Sequence, residues 1–415
     1  MNISIVSLLD NIIKINVPSK SDYIFLTNIF QSDDYGNIYR KQVASDVFKS
    51  KLCNFDTLSK KQLKLKYYLS KIPRDSYFLI IGGSVVDIDE QYRLRTEVSA
   101  LNGRSKDNSK DLLIRLDLMF NLYHVQIFNG AGGPQYFGES QTCDRICRFC
   151  GKKEPEVKFS NKSHAISECL GNKSLICNEE CDNCNDKFSM TIEADIAKML
   201  TFILTLHSIP GKRGLRKTKG RNFKMSLDQH TAKDDNIGTL KIEFNSDLQI
   251  NNENFIKKSI PLDLSNQKYI PQNIYKCLCK YVVSILNNDK LTYFQDTILW
   301  INSATKYRKL PMVAIGNSTN TLNHPVILIS IRKNDDYRYP YCFAILSIAN
   351  TAFAFIIPFS SKDKYKFTTS KASEKFHQIL HTYYNTFKWS FAQLSSSKNT
   401  HTSIEFTLNS HLNLK

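Results

Sequence analysis

Four cysteines stand in two matched pairs, Cys147-x-x-Cys150 and Cys181-x-x-Cys184, with thirty residues between the pairs. Each tight C-x-x-C turn offers two sulfurs, and two turns at this separation can surround one Zn²⁺ tetrahedrally. A redox reading would place a single C-x-x-C at a helix start after a strand, and it leaves the second pair unexplained. Cys169 and Cys177 lie inside the span as alternative sulfurs. The paired spacing selects the other four and leaves these two as buried thiols. The span also holds one histidine, His164, and a Gly171-Asn172 turn, while Asn185 follows the last cysteine directly.

A second group of residues suits anions. Gly211–Arg221, GKRGLRKTKGR, has six basic residues among eleven and three glycines that let backbone approach a ligand. Lys212, Arg213, Arg216, Lys217 and Lys219 can neutralise phosphates and release counterions, giving affinity without sequence information. A solvated basic loop is the competing reading of such a run.

The elements that must position these groups follow from periodicity. Val157–Phe159 can begin a strand, His164–Ile166 precedes the Gly171-Asn172 turn, and a helix starts at about Cys184, together a short ββα unit. Apolar residues at helical intervals extend a second helix from Thr191 to His207. Before the module, a helix runs from Leu58 to Ile72 and stops at Pro73, and Tyr77–Ile81 is a strand closed by Gly82-Gly83. Lys110–Phe128 reads as strand in its C-terminal half. After the module, Gly238–Phe244 is strand-like and Pro271–Leu286 and Leu291–Trp300 are helical. Val326–Ile331, Tyr341–Ala349 and Ala352–Pro358 are neighbouring strands, with a turn at Ala349-Asn350. Ser370–Tyr384 returns to helix, and the Ser-, Asn- and Thr-rich stretch from Leu394 is expected to pack poorly. The fold class is α+β. The domains are 1–140, an N-terminal α+β unit; 141–225, the cysteine module with its following helix and basic loop; and 226–415, a C-terminal α+β unit.

Composition sets the context. The chain has 415 residues, 42% hydrophobic and 23% charged, enough to bury sizeable cores. A net charge of +17 attracts polyanions, and nucleic acid is the commonest. Eleven cysteines without framework spacing fit a reducing cytoplasm. The N-terminus lacks the order of a signal peptide, and the longest apolar stretch, Tyr341–Phe359, is broken by Ser347, Asn350 and Thr351, so no membrane span is expected.

Cys147–Phe188 resembles the HNH nuclease superfamily, and more narrowly its bacterial branch with a four-cysteine zinc clasp and an H-x-I-x-x-x-LG-[GN] core, here His164-Ala-Ile-Ser-Glu-Cys-Leu-Gly-Asn172. The match covers about 42 of the 415 residues. Weaker similarity continues through the helix after residue 190 and the Gly-Lys-x-Gly segment at 211–214. The resemblance implies a ββα-metal module with structural zinc on Cys147, Cys150, Cys181 and Cys184, and Mg²⁺ or Mn²⁺ for cutting. It makes His164 the general base, Asn178 the residue that orients it, with Asn183 as the alternative, and Asn185 a ligand of the catalytic ion. Many family members carry an acidic or imidazole ligand just before the base. Here that residue is Ser163, and Glu168 or Asp186 is the substitute. The implied activity is metal-dependent endonucleolytic hydrolysis of phosphodiesters, DNA first, in restriction or anti-phage defence, with a second copy or a defence-system protein as partner. A zinc-ribbon nucleic-acid-binding protein without catalysis uses the same clasp and is the rival reading.

Overall fold

The computed structural model describes residues 2–9, 12–16, 20–34, 37–53, 59–82, 88–103, 121–211, 214–228, 239–245, 257–369, 372, 376 and 388–409. The chain divides into two compact units, Met1–Val125 and Gln126–Lys415. The first combines helices with one sheet and the second combines helices with several small sheets, an α+β architecture.

The first unit is built on an antiparallel sheet in the order β2-β1-β4-β3, from β1 (Asn2–Val6), β2 (Ile13–Asn16), β3 (Lys41–Val43) and β4 (Tyr77–Gly82). In β4, the expected strand, Phe78, Leu79 and Ile80 are all buried, the mark of a strand covered on both faces. Helices α1 (Lys20–Ile29), α2 (Asp46–Cys53), α3 (Lys60–Lys71) and α4 (Ile88–Leu101) supply the cover. Phe30, Phe48 and Phe78 meet at the core with ring centroids 5.3–6.2 Å apart. The expected helix before Pro73 is α3. Its start is fixed by a capping box, in which the Ser59 hydroxyl accepts from Gln62 N and the Gln62 side chain accepts from Ser59 N. At its end the Lys49 ammonium donates to the carbonyls of Leu69, Ser70 and Ile72, the first of which also accepts from the Ile72 N–H.

The boundary between the units falls within β5 (Tyr123–Asn129), the strand expected in the second half of Lys110–Phe128; positions 110–120 lie outside the described residues. The second unit contains the cysteine module. Its elements are β6 (Gln135–Phe137) and β7 (Leu175–Cys177), which pair in parallel, then α5 (Asp182–Met190) and α6 (Ile192–Leu206). Val157–Phe159 is not a strand. Its backbone wraps the start of α5 instead: Asp182 N donates to Lys158 O, and the Asp182 carboxylate accepts from Ser160 N and Asn161 N. Beyond the module, β8 (Lys217–Lys219), β9 (Phe223–Asp228) and β10 (Thr239–Phe244) form an antiparallel sheet in the order β10-β9-β8.

The spine of the second unit is α7 (Pro271–Ile285). Pro271 opens it, where a fixed φ and a missing N–H cost nothing. Every residue of this helix except Asn273 is buried. The short α8 (Asn288–Leu291) and α9 (Gln295–Asn302) follow. One apolar core joins Phe149, Ile166 and Phe188 of the module to Tyr281, Trp300 and Phe355 further along the chain, so residues 141–225 and 226–415 share their interior.

One further expectation needs correction. The stretch expected to turn at Ala349-Asn350 is one strand, β13 (Cys342–Ile356), paired along β12 (Val313–Arg332). The irregularity that suggested a turn is absorbed by register shifts of β12 on either side of Leu322, opposite Ala349, whose φ is 52°. The tail after Leu394 gains a strand without gaining a core: residues 395–405 are all exposed or half-buried, as expected of a poorly packed stretch. Leu394 is buried, and β15 (Ser403–Asn409) pairs antiparallel with β11 (Lys257–Asp263), its Ile404, Phe406 and Leu408 alternating with polar residues. β14 (Lys388–Ala392) pairs with β12. The expected helix at Ser370–Tyr384 lies almost wholly outside the described residues.

Candidate metal centre

The four paired cysteines converge. Their sulfurs all lie within 4.8 Å of one another, with Cys147, Cys181 and Cys184 buried and Cys150 half-buried. Cys150 and Cys181 Sγ are 3.8 Å apart, the edge of a tetrahedron whose metal–sulfur bonds are about 2.3 Å. Cys147 sits at the knuckle before the Gly151 turn, and Cys181 and Cys184 occupy the start of α5, where helix N–H groups favour thiolate. Backbone N–H of Cys181 donates to Cys147 Sγ at 3.5 Å. A hydrogen bond from Cys184, against the cost of burial, pulls Cys147 down to about 5. Burial pushes Cys181 up to about 12, and Cys184, holding the shared proton for Cys147, is pushed up too. A cluster that keeps one thiolate alone but crowds four sulfurs fits a divalent cation such as zinc, whose charge lets all four ionise. All eleven cysteines are free of disulfides, and Cys169 and Cys177 stand outside the cluster, with burial raising them to about 11 and 12.

A hairpin runs into this cluster. His164 pairs with Ile176 across an antiparallel bridge, flanked by Ala165 N to Leu175 O and Cys177 N to Ser163 O, both 2.9 Å. Of the expected ββα unit the structure has one strand, β7, and the helix α5; the His164 arm meets β7 through this single bridge and forms no strand of its own. The turn is closed by Gly171 at φ 90°, not by Asn172. Asn172 is a buried strut. Its amide donates to Ile166 O and Leu175 O and accepts from Ser174 N and Leu175 N, tying the two arms together. The spacing alone suggested only a turn residue there. His164 is half-buried, and its Nδ1 is enclosed without a hydrogen-bond partner. Burial lowers its pKa below the usual 6.5, so the ring is neutral at pH 7; Glu168 and Glu193 pull the other way, and Lys162 and Lys280 add to the lowering.

Residues far along the chain hold this hairpin. The Lys280 ammonium, from the middle of α7, sits 2.9 Å from Glu180 Oε2 and 2.9 Å from Glu193 Oε1, and donates to the His164 carbonyl at 3.3 Å. The Lys280 and Glu180 side chains have no exposed surface. Burial opposes the Lys280 charge, but the two carboxylates outweigh it and raise its pKa; Glu180, desolvated, rises to about 7 against the pull of Lys280. Arg148, between the first two cysteines, pairs with Glu179 at 2.8 Å and donates to Val283 O, Leu286 O and Asn288, capping the end of α7. Gly138, at φ 88°, lets Glu179 lie against its backbone, since a Cβ there would meet the carboxyl carbon at 2.5 Å. Neighbouring Glu179 and Glu180 thus each take a cation from a different element. An adjacent acidic pair in sequence reads as solvated, and nothing in the spacing marks Lys280.

The other candidate residues are less constrained. Asn178 is half-buried and its N–H donates to Phe137 O; Asn185 is half-buried on α5; Asn183 and Asp186 are exposed; Glu168 is half-buried. Ser163 is turned inward, its hydroxyl donating to Glu180 O at 3.1 Å, and offers no ligand at the position just before the histidine. Among the described residues, the four cysteines are the only group of three or more His, Cys, Asp or Glu that could hold an ion. In the basic segment, Lys212 and Arg213 lie outside the described residues. Arg216 donates to the Cys169 carbonyl, which turns it toward the module. Lys217 and Lys219 are exposed on one face of β8, and Lys219 stands directly opposite Lys224 of β9.

Among the described residues no helix is long and apolar enough to cross a membrane. The chain matches no family model, no curated protein and no solved structure.

Proposed function

We propose that the module is a metal-dependent endonuclease centre of the HNH type, acting on phosphodiesters, with DNA as the first substrate. The observation that carries this reading is His164: a neutral imidazole with an unpartnered Nδ1, on an arm bridged to β7, with the second cysteine pair and α5 following in the chain. A neutral imidazole near pH 7 takes a proton from water as it attacks phosphorus, worth roughly 10²–10⁴-fold in rate. Cys147, Cys150, Cys181 and Cys184 would hold zinc, which would stiffen the module and take no part in the cut.

A Mg²⁺ or Mn²⁺ would offset charge on the scissile phosphate. With Ser163 turned inward, Asn185 and one of Glu168 or Asp186 would have to hold it together with substrate phosphate. That sparse set fits a hard cation bound through one or two protein oxygens and substrate. It does not fit an ion caged by protein alone. The like-charged pair Lys219–Lys224 costs stability in an isolated sheet. With Lys217 it forms a cationic face suited to backbone phosphates, and the +17 charge supports the same partner.

The inward Ser163 favours a second reading, a zinc-bound nucleic-acid-binding module without catalysis. Plasmid nicking in Mg²⁺ and in Mn²⁺ separates the two. Wild type should nick, and His164→Ala should lose at least about a hundredfold in rate while keeping its zinc and DNA affinity. Wild type that binds DNA but never nicks in either metal ends the nuclease reading.

A further inference from the structure

Away from the cysteine module, the second unit has a groove of about 760 Å³ between α9 and the segments at 303–311 and 356–368. It is the size of a small-molecule site. The two segments are alike in kind: Lys306-Tyr-Arg-Lys309 on one and Lys362-Asp-Lys-Tyr-Lys-Phe367 on the other interleave basic and aromatic residues. Tyr307, Phe359 and Tyr365 line the groove, with Lys309, Lys364 and Lys366 exposed at its edge. Tyr307 and Phe359 rings lie 4.5 Å apart, and Trp300 packs edge-on against Phe359 at 5.4 Å.

Two observations mark the groove as built for a ligand. Trp300, only 2% exposed, lines it, and its indole N–H is buried without an acceptor. A ligand that shifts the packing around this closed N–H would supply the acceptor it lacks. Phe359 and Phe367 both line the groove with left-handed backbone, φ 65° and 50°. Bulky residues rarely accept that conformation, and such strain gathers at ligand clamps. Aromatic faces, an orphan donor and rim ammonium groups together match a flat ring with acceptors joined to a phosphate. The Asp363 carboxylate, also in the lining, is countered by Arg332 at 3.3 Å and by Tyr341 N–H.

We infer that this groove binds a nucleotide unit, the base against Tyr307 and Phe359 and the phosphate among Lys309, Lys364 and Lys366. The unit comes either from a free nucleotide or from an unpaired stretch of nucleic acid, and neither source depends on the nuclease reading. The full-length protein is titrated in Mg²⁺-free buffer with adenosine 5′-monophosphate by calorimetry and with 5′-fluorescein-dT12 by anisotropy. Tyr307→Ala and Lys366→Ala change exposed side chains on separate segments, and circular dichroism checks that both fold. At least one probe should bind saturably, and each variant should weaken it about tenfold or more. Monophosphate binding without oligonucleotide binding assigns the groove to a free nucleotide. Oligonucleotide binding that the monophosphate does not compete assigns it to a strand. Absence of binding by both probes overturns the inference, as does binding that both variants leave unchanged, which would belong to the lysine face of β8.

Discussion

Two regions of the second unit meet at His164 and are organised in opposite ways. The four-thiol clasp is local: its ligands, its turns and the helix they open lie between residues 147 and 190, and each pair is set by a four-residue turn. The grip of α7 is remote. Lys280 reaches the His164 carbonyl from 116 residues away, and Arg148 reaches Leu286 across 138. The clasp ties the two ends of the module together, while the hairpin's own apolar residues sit in the large core of the second unit. The grip decides how that hairpin is presented. Metal–sulfur bonds at the four cysteines would do the first job, being strong and needing few partners; buried ion pairs do the second because they are strict about direction.

The comparison breaks most visibly at the clasp. Cys181→Ser removes one ligand from a site whose metal contributes on the order of 10 kcal/mol in small zinc units. The variant should lose its metal, and the protein's urea transition should split or shift to far lower denaturant. Full metal content by elemental analysis, with an unchanged transition, would mean that the four sulfurs do not bind together. Next in size is the grip. Lys280→Met leaves Glu180 and Glu193 beside a methylene chain, a loss of about 3–5 kcal/mol for breaking a buried pair from one side. Adding Glu180→Gln should restore part of it. Zinc content should stay full in both variants, which separates the two regions: the clasp fills its metal site without the grip, and a zinc-free Lys280→Met protein would show that it cannot.

What sequence revealed follows the same division. The clasp was legible because a C-x-x-C turn carries its geometry in four residues. Helix α3 was legible because Ser59, Gln62 and Pro73 mark its ends locally. The grip was not. Lys276 and Lys280 stand four apart in α7, which reads as the wet face of an amphipathic helix, yet both are buried. Their partners, Ser303 O for Lys276 and the two glutamates for Lys280, come from distant segments that no periodicity links to α7. Asn172 was misread for a related reason. Gly-Asn signals a turn, but the glycine takes the left-handed backbone and frees the asparagine side chain to bridge both arms. The paired strand at 403–409 was not expected, since polar composition hid an alternation of Ile404, Phe406 and Leu408.

The smallest effect, and the one that sharpens the comparison most, is the pH response of His164. Its folded pKa lies below 6.5, chiefly through burial. Between that folded value and 6.5 the unfolded chain binds the extra proton, so stability rises with pH through the window and falls as pH drops toward the folded pKa. His164→Gln removes this component and should flatten the slope of stability against pH just below 6.5, measured by urea unfolding of matched samples. Lys280 adds to the lowering from its place beside the His164 carbonyl. Lys280→Met should therefore move the imidazole resonance, followed by NMR, back toward 6.5, while the ring stays folded in its hairpin. If the resonance titrates at the same pH with and without Lys280, α7 holds the strand but does not tune the base, and the grip is purely mechanical.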